Sequence, residues 1–132
     1  MTYESLRNEA YEANMKIPEN HLALYTWGNV SAFDKDKGVF AIKPSGVPYP
    51  DLTPESMVII DLDGKKVDGS MNPSSDTPTH AVLYKKFGME QGAEIGGIIH
   101  THSTYAVSWA QAVRSVPLFG TTHADHIQKA VP

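Results

Sequence analysis

The sequence predicts an α/β fold in which a mainly antiparallel sheet is flanked by helices. Two patterns support this prediction: short β-prone runs joined by tight turns, and amphipathic stretches whose apolar residues recur every three or four positions. Hairpins that alternate with helices form one sheet with helices packed against it. At 132 residues the chain can bury a substantial core. We therefore expect a single domain over residues 1–132.

The helices are predicted from periodicity and from their start and stop signals. Apolar residues from Leu6 to Ile17 recur at helical spacing, so a helix is expected over 3–17, stopped by Pro18. Further helices are expected over about 77–87 and 104–113, where serine or aspartate residues precede the apolar positions as candidate caps.

The strands are predicted from short runs rich in β-branched and aromatic residues. Asp34–Gly38 and Asp63–Gly64 are typical of hairpin turns. The expected strands cover residues 22–26, 30–33, 39–43, 57–61, 65–68, 95–100 and 116–122.

Composition excludes several classes of protein. No apolar run reaches the length of a membrane span, and the first residues lack the layout of a secretory signal. The chain has no cysteine, which excludes disulfides and thiolate chemistry. Its net charge of −4 is spread along the sequence and offers no basic surface for nucleic acid or an anionic membrane. We expect a cytoplasmic protein without nucleic-acid or membrane partners.

The pair His100 and His102 is the sharpest local signal for a metal. Alternate side chains of a strand share one face, so two imidazoles separated by one residue can hold one ion at the end of the run 95–100. Zinc accepts imidazole and carboxylate ligands, and a catalytic zinc usually has three protein ligands. Two partly exposed histidines at a strand end would give the same pattern.

Asp76 follows Ser74 and Ser75 at the start of the helix predicted over 77–87. In the simpler interpretation, Ser75 or Asp76 caps that helix. In the functional interpretation, the serine hydroxyls and the first N–H groups of the helix bind an anion such as phosphate. The residues themselves leave both interpretations open.

Two other turns can also be interpreted either as purely structural or as ligand-binding. Lys43, Ser45 and Gly46 form either a plain turn or a turn whose hydroxyl, N–H groups and positive charge meet a phosphate. Gly28, which precedes Asn29, would permit close approach of the backbone to a ligand.

The stretch 121–126 contains Asp125 between two histidines. A carboxylate beside imidazoles can transfer protons as a general acid or base. A solvated loop would have the same composition. No nucleophile elbow, dinucleotide fingerprint or P-loop motif is present in the chain.

Five of these segments occur in an order that resembles the L-ribulose-5-phosphate 4-epimerases of the class II aldolase and adducin-head family. The resemblance runs from the first helix to the last residue. The segments are 26–31 (Thr-Trp-Gly-Asn-Val-Ser), 42–47 (Ile-Lys-Pro-Ser-Gly-Val), 73–80 (Pro-Ser-Ser-Asp-Thr-Pro-Thr-His), 97–103 (Gly-Ile-Ile-His-Thr-His-Ser) and 120–125 (Gly-Thr-Thr-His-Ala-Asp).

The resemblance implies a three-layer α/β/α fold, a homotetramer and a zinc ion held by His100, His102 and Asp76. It implies that Asp125 is the catalytic acid or base. It also implies that a pentulose 5-phosphate is bound by Gly28, Asn29, Ser45, Gly46, Ser74 and Ser75, to which we add Lys43 because of its charge.

The implied reaction converts L-ribulose 5-phosphate to D-xylulose 5-phosphate by retro-aldol cleavage of C3–C4 and re-addition of the released fragment. Sugar-phosphate aldolases of the family tend to carry glutamate at the position of Asp76, so aspartate favours the epimerase over the aldolase. A non-catalytic adducin-like interaction domain is a third alternative, which the histidine pair and Asp125 argue against.

The family's enzymes continue well beyond the length of this chain and take a third zinc histidine and a catalytic tyrosine from that region. We therefore expect the chain to be the N-terminal part of such an enzyme. On its own we expect it to be inactive or impaired.

Overall fold

The computed structural model describes residues 3–132, which form two compact units. The first unit ends at Thr101 and contains the sheet, whereas the second unit is His102–Pro132. No helix within residues 3–132 is long and apolar enough to cross a bilayer. The expected single domain over 1–132 stays a prediction.

The sheet of the first unit has five strands, and every neighbouring pair is antiparallel. Along the sheet the order is β4-β3-β2-β1-β5, so β5 lies at one edge. The strands are β1 (Asn29–Asp34), β2 (Val39–Ile42), β3 (Val58–Asp61), β4 (Lys66–Asp68) and β5 (Gly97–His100).

Residues 3–132 form four α-helices, and the second continues as a π-helical segment, Tyr84–Glu90. Short 3₁₀ turns at Tyr49–Asp51 and Pro54–Ser56 join β2 to β3. The α-helices are α1 (Glu4–Glu19), α2 (Thr77–Leu83), α3 (Thr104–Gln111) and α4 (Thr121–His126).

Both faces of the sheet are covered in the first unit, which confirms the three-layer α/β/α expectation. On one face, residues of α1 such as Leu6 and Ile17 share a core with Val30 of β1. On the other face, Ala81 and Tyr84 share a second core with further strand residues. The strand members of that second core are Phe33, Phe40, Ile42, Val58 and Ile60.

Asn14 joins α1 to β1 through the backbone of Val30. Its amide nitrogen donates to the Val30 carbonyl at 2.8 Å, and the Val30 N–H donates to Asn14 Oδ1 at 2.8 Å. The side chain is fully buried, so its loss would leave two backbone groups without partners, at about 1–3 kcal/mol for each. This contact fixes the start of β1, where the candidate site begins.

Three details of the sequence prediction are wrong. The run 22–26 is irregular rather than a strand, because His21 and Tyr25 adopt positive φ angles of 55° and 53°. The run 116–122 contributes only an isolated bridge from Val116 to Val131, since Pro117 has no N–H to donate to a ladder. The first helix continues to Glu19, because a proline in the last turn disrupts little of the remaining hydrogen bonding.

Alkaline pH should destabilise the fold through two buried tyrosines. Burial raises the pKa of both Tyr49 and Tyr84 to about 12. Their stabilisation is complete below the unfolded value near 10 and is lost as pH rises from about 10 to 12, by roughly 2–3 kcal/mol for each. Urea unfolding at pH 8, 10 and 11.5 should show this loss. Tyr84→Phe should reduce the loss to the part contributed by Tyr49, whereas Tyr105→Phe, at an 84% exposed position, should leave the loss unchanged.

Candidate functional site

The candidate site begins where β1 and β5 pair at one end of the sheet. Asn29, the first residue of β1, lies opposite His100, the last residue of β5. Directly paired residues project to the same face, and Asp76 approaches both from the loop before α2. Its Oδ2 lies 3.2 Å from His100 Nδ1 and 3.5 Å from the Asn29 amide nitrogen. An acid, an imidazole and an amide from three parts of the chain thus meet.

Asp76 occupies the position before α2, but its carboxylate makes no capping hydrogen bond to that helix. Instead, the Asp76 backbone N–H donates a hydrogen bond back to Ser74 Oγ at 3.2 Å. The capping interpretation therefore does not account for Asp76, whose carboxylate is directed to the end of the sheet.

The surroundings of Asp76 favour its ionised form. Burial on its own would raise the pKa of this carboxyl group, but the hydrogen bond from the Thr79 side chain and the nearby His100 and His80 hold the pKa below its usual value. The site therefore presents a carboxylate at neutral pH, as a cation or a protonated partner would require.

His80 is a site residue that the sequence analysis did not single out. Its side chain is 1% exposed, with Nε2 3.1 Å from Asp76 Oδ2 and Nδ1 2.7 Å from Ser31 Oγ. Burial lowers the pKa of His80 despite the neighbouring carboxylate. The available sequence signal was the spacing of four from Asp76, which places both residues on one side of a helix.

The pair formed by Asp76 and His100 fits two ligands of one zinc ion. Ligand atoms of a tetrahedral zinc with ordinary bond lengths lie about 3.3 Å apart, and Asp76 Oδ2 and His100 Nδ1 are separated by 3.2 Å. The His100 side chain is 42% exposed and thus accessible to an ion. Within residues 3–132, no group of three or more His, Cys, Asp or Glu side chains is placed to hold a metal.

His102 lies outside the strand on which its prediction depended. β5 ends at His100, and His102 is the first residue of the second compact unit. The alternation of side chains along a strand therefore predicts the direction of the His100 side chain but not that of His102. Metal binding by His102 stays a prediction.

The two loops expected to bind phosphate lie side by side. The Ser45 N–H donates to the Asn72 carbonyl at 2.9 Å, and the Ser74 N–H donates to the Lys43 carbonyl at 3.0 Å. These bonds bring together segments separated by about thirty positions in the sequence. Ser45, Gly46 and Ser75 are exposed where the loops meet, and Ser74 is partly buried.

Lys43 is buried beneath these loops. Its ammonium group donates to the Val47 carbonyl at 2.9 Å and to the Thr26 carbonyl at 3.2 Å, and it lies 5.0 Å from the centre of the Tyr49 ring. Burial lowers the pKa of Lys43. The ammonium group thus joins the loop before β1 to the loop after β2. Its expected role in substrate binding stays a prediction.

Gly28 brings the loop before β1 close to the end of β5. With φ at +75°, a Cβ there would lie 3.0 Å from the His100 carbonyl oxygen, so packing within the protein already explains this glycine.

Next to Gly28, Asn29 Oδ1 is a buried acceptor without a hydrogen-bond partner among residues 3–132. Buried polar atoms are rarely left unsatisfied, which makes Asn29 Oδ1 a candidate for a ligand contact.

Asp125 lies on α4 in the second compact unit, where its side chain is exposed. In the same unit, His123 Nε2 lies 3.1 Å from the Lys129 carbonyl oxygen. The expected role of Asp125 as an acid or base stays a prediction.

A three-layer α/β/α unit with a carboxylate and an imidazole at the end of its sheet is consistent with a known family. Residues 8–132 match the family described as the Class II Aldolase and Adducin N-terminal domain. This chain belongs to that family, which confirms the resemblance found in the sequence.

Named relatives give a more detailed comparison. The chain is 46% identical over 129 residues to L-ribulose-5-phosphate 4-epimerase UlaF of Salmonella paratyphi C, a match that covers 98% of this chain and 54% of the relative. The same epimerase of Salmonella typhi matches to the same extent. The chain therefore spans about half the length of the curated relatives that it matches.

Solved structures support the fold. An L-fuculose 1-phosphate aldolase superposes with a TM-score of 0.75 at 32% identity, covering 86% of this chain and 51% of the aldolase. A second L-fuculose-1-phosphate aldolase, from Thermus thermophilus, gives a TM-score of 0.71 at 22% identity, covering 100% of this chain and 63% of the other.

Proposed function

We propose that this chain forms the N-terminal half of a zinc-dependent L-ribulose-5-phosphate 4-epimerase, which converts L-ribulose 5-phosphate to D-xylulose 5-phosphate. The observation that carries the proposal is the meeting of Asp76, His100 and Asn29 at the end of the sheet, in a chain 46% identical to an epimerase. Breaking the C3–C4 bond and re-adding the released aldehyde through its opposite face inverts the configuration at C4 without a redox cofactor.

Asp76 and His100 would hold the zinc ion, together with His102. The ionised state of Asp76 and the spacing of its Oδ2 from His100 Nδ1 support this assignment. When bound, the metal supplies Lewis-acid polarisation of the carbonyl and hydroxyl oxygens of the sugar. Asp76 lies beside both His100 and Asn29.

The substrate phosphate would lie against the paired loops that carry Ser45, Gly46, Ser74 and Ser75. Their hydroxyl groups arrive from two directions, as a dianion requires. The bonds between the loops fix this arrangement before substrate binds. The charge of Lys43 lies beneath the same loops and would offset part of the phosphate charge.

Asn29 Oδ1 would accept a hydrogen bond from a sugar hydroxyl, since it has no partner within residues 3–132. Gly28 would hold the adjoining backbone against the end of β5. These two residues would orient the sugar chain between the phosphate loops and the carboxylate of Asp76.

Asp125 would exchange a proton with the C4 oxygen as the C3–C4 bond breaks and forms again. Inversion at C4 needs proton transfer on each face of the released aldehyde, and Asp125 would serve one face. We further propose that the active protein is a cytoplasmic homotetramer.

A sugar-phosphate aldolase is the second candidate, favoured by the superposition on L-fuculose 1-phosphate aldolase. An aldolase would release the two fragments, whereas an epimerase retains and rejoins them. The shorter side chain of aspartate at position 76 favours the epimerase, because family aldolases tend to carry glutamate there.

The test uses a chimera in which residues 1–132 replace the matching segment of the Salmonella paratyphi C epimerase. With zinc, we expect it to convert L-ribulose 5-phosphate to D-xylulose 5-phosphate, detected by a coupled assay for the product. The unmodified Salmonella enzyme is the positive control. Circular dichroism and gel filtration show that the chimera folds and assembles.

A folded chimera that releases free triose and aldehyde fragments from ketose phosphates, with no epimer, would establish the aldolase. A folded chimera that binds zinc but processes no sugar phosphate would contradict the proposed function of this segment.

A further inference from the structure

A continuous chain of hydrogen bonds runs from the core of the first unit to Asp76. The Tyr84 hydroxyl lies 2.6 Å from Ser31 Oγ, which lies 2.7 Å from His80 Nδ1, and His80 Nε2 lies 3.1 Å from Asp76 Oδ2. We call Tyr84, Ser31, His80 and Asp76 the polar chain. Its first three members lie outside the proposed zinc, phosphate and sugar contacts.

The inner members of the polar chain are sealed from solvent. Ser31 and His80 are each 1% exposed, and Tyr84 is fully buried. The Tyr84 ring stacks on Phe33 with centroids 4.3 Å apart, so its hydroxyl has a fixed position. The outer end of the polar chain is therefore held by a packed core, although Asp76 itself belongs to a loop.

Two spacings in the sequence bring the members of the polar chain to one place. Asp76, His80 and Tyr84 recur every four residues, which aligns them along one side of α2 and its π-helical continuation. Ser31 lies two residues after Asn29 on β1 and therefore faces the same side of the sheet. Asp76, His80 and Tyr84 therefore lie on the side of the helix that faces the sheet.

The direction of each hydrogen bond follows from counting hydrogens. A carboxylate at neutral pH offers only acceptors, so the 3.1 Å contact between His80 Nε2 and Asp76 Oδ2 requires a hydrogen on Nε2. A neutral imidazole then accepts at Nδ1, and this requires the Ser31 hydroxyl to donate to His80. The Tyr84 hydroxyl has two possible acceptors, Ser31 Oγ at 2.6 Å and the Ser31 carbonyl oxygen at 3.1 Å. Because the Ser31 hydrogen is used towards His80, the short contact places the Tyr84 hydrogen on the side of Ser31 Oγ. Every donor in this arrangement points towards Asp76, and every member has a partner.

The other tautomer of His80, with its hydrogen on Nδ1, does not fit the contact with the Asp76 carboxylate. If His80 carried its proton on Nδ1, an unprotonated Nε2 would face Asp76 Oδ2 at 3.1 Å. Two acceptors would then meet without a hydrogen in a partly buried contact, which costs free energy instead of contributing an ordinary hydrogen bond.

We propose that His80 is a positioning residue, locked by Ser31 and Tyr84 as the Nε2–H tautomer, which donates to Asp76 and fixes the orientation of its carboxylate for the ligand-binding site. The inference deepens the proposed function and rests on Asp76 acting as a metal ligand there. Partners of this kind orient a ligand and raise its affinity for the ion.

The tautomer is measured on the 132-residue chain itself without metal, by long-range ¹H–¹⁵N correlation of histidine rings at pH 7.5. The signals of His80 are assigned by their loss in His80→Gln. We expect a protonated Nε2 and an unprotonated Nδ1, and Ser31→Ala should weaken this preference. A protonated Nδ1 in the native chain would overturn the proposal, whether or not the chain binds metal.

Matched amide substitutions then test the function of the donor. A glutamine amide nitrogen can replace Nε2 of histidine, whereas an asparagine amide nitrogen lies closer to Nδ1. We expect His80→Asn to lower the affinity for Co²⁺, followed by its visible absorption, by about 10–100-fold. His80→Gln should stay within about threefold of the native chain, below that range.

Equal losses of Co²⁺ affinity in both folded variants would mean that His80 is needed only for packing, and would overturn the positioning role. If His80→Asn does not fold, Ser31→Ala replaces it, with an expected loss of affinity that native-like circular dichroism separates from unfolding. A native chain that binds no Co²⁺ while showing the Nε2–H tautomer would refute the metal assignment and retain the hydrogen-bond direction.

Discussion

Replacing His100 with alanine is expected to lower the zinc affinity of this chain by about 100-fold or more, beyond the usual effect of losing a ligand's hydrogen-bond partner. The imidazole is a partly exposed neighbour of the Asp76 carboxylate, and alanine removes the nitrogen that is proposed to share the ion with that carboxylate. The measurement is competition for zinc with a chromophoric chelator, supported by metal analysis of protein purified without chelators.

The matched control is His126→Ala, which removes an exposed imidazole from α4. It should leave zinc affinity unchanged, because the proposed metal site consists of Asp76, His100 and His102 and does not include His126. If His126→Ala lowers affinity as much as His100→Ala, a histidine of the second unit serves as a ligand. Unchanged zinc content in His100→Ala would refute the metal site at the end of the sheet.

The position of His100 could be predicted from sequence because local rules determine it. A short β-prone run ending in a histidine delivers that side chain at a strand end, and pairing with β1 follows from the antiparallel sheet. The hairpin between β1 and β2 was equally local, since Gly38 supplies the positive φ that its turn requires. In both cases neighbouring residues in the sequence carry the whole signal.

The roles of His80 and Lys43 could not be predicted in this way, because their partners are distant in the sequence. Ser31 becomes a partner of His80 only when α2 packs on β1. Lys43 has a charge that suits a phosphate, but its ammonium group is bonded to backbone carbonyls, one of them from Thr26. The identity of a residue does not reveal which buried acceptors the fold will place beside it.

Ser45 and Ser74 are assigned to one substrate from the resemblance and from chemistry rather than from local structure. A bound dianion needs donors from more than one loop, and two loops that bind one phosphate must lie close together. The backbone bonds between their loops show that the two segments do meet. Phosphate binding by these loops stays a prediction.

Replacing Asp125 with asparagine is expected to reduce kcat of the chimera by about 10²–10⁴-fold, the usual contribution of a general acid or base. Asparagine has nearly the same volume but cannot exchange a proton at neutral pH. Zinc content and folding should stay unchanged, because Asp125 is exposed on α4. Product formation from L-ribulose 5-phosphate and zinc content are measured on the same preparations.

Two comparisons make this result specific to proton transfer. Asp36→Asn alters an exposed carboxylate in the turn between β1 and β2 and should leave kcat unchanged. Under a purely electrostatic or binding role, Asp125→Asn would raise KM with little change in kcat, since ground-state and transition-state binding would weaken together. A variant that retains most of its kcat would show that another group carries the proton at C4.

The 132-residue chain alone should show no turnover when it is assayed with added zinc in the same experiment. The resemblance places a second proton donor and a third metal ligand in the other half of such enzymes, so the reaction would lack both groups.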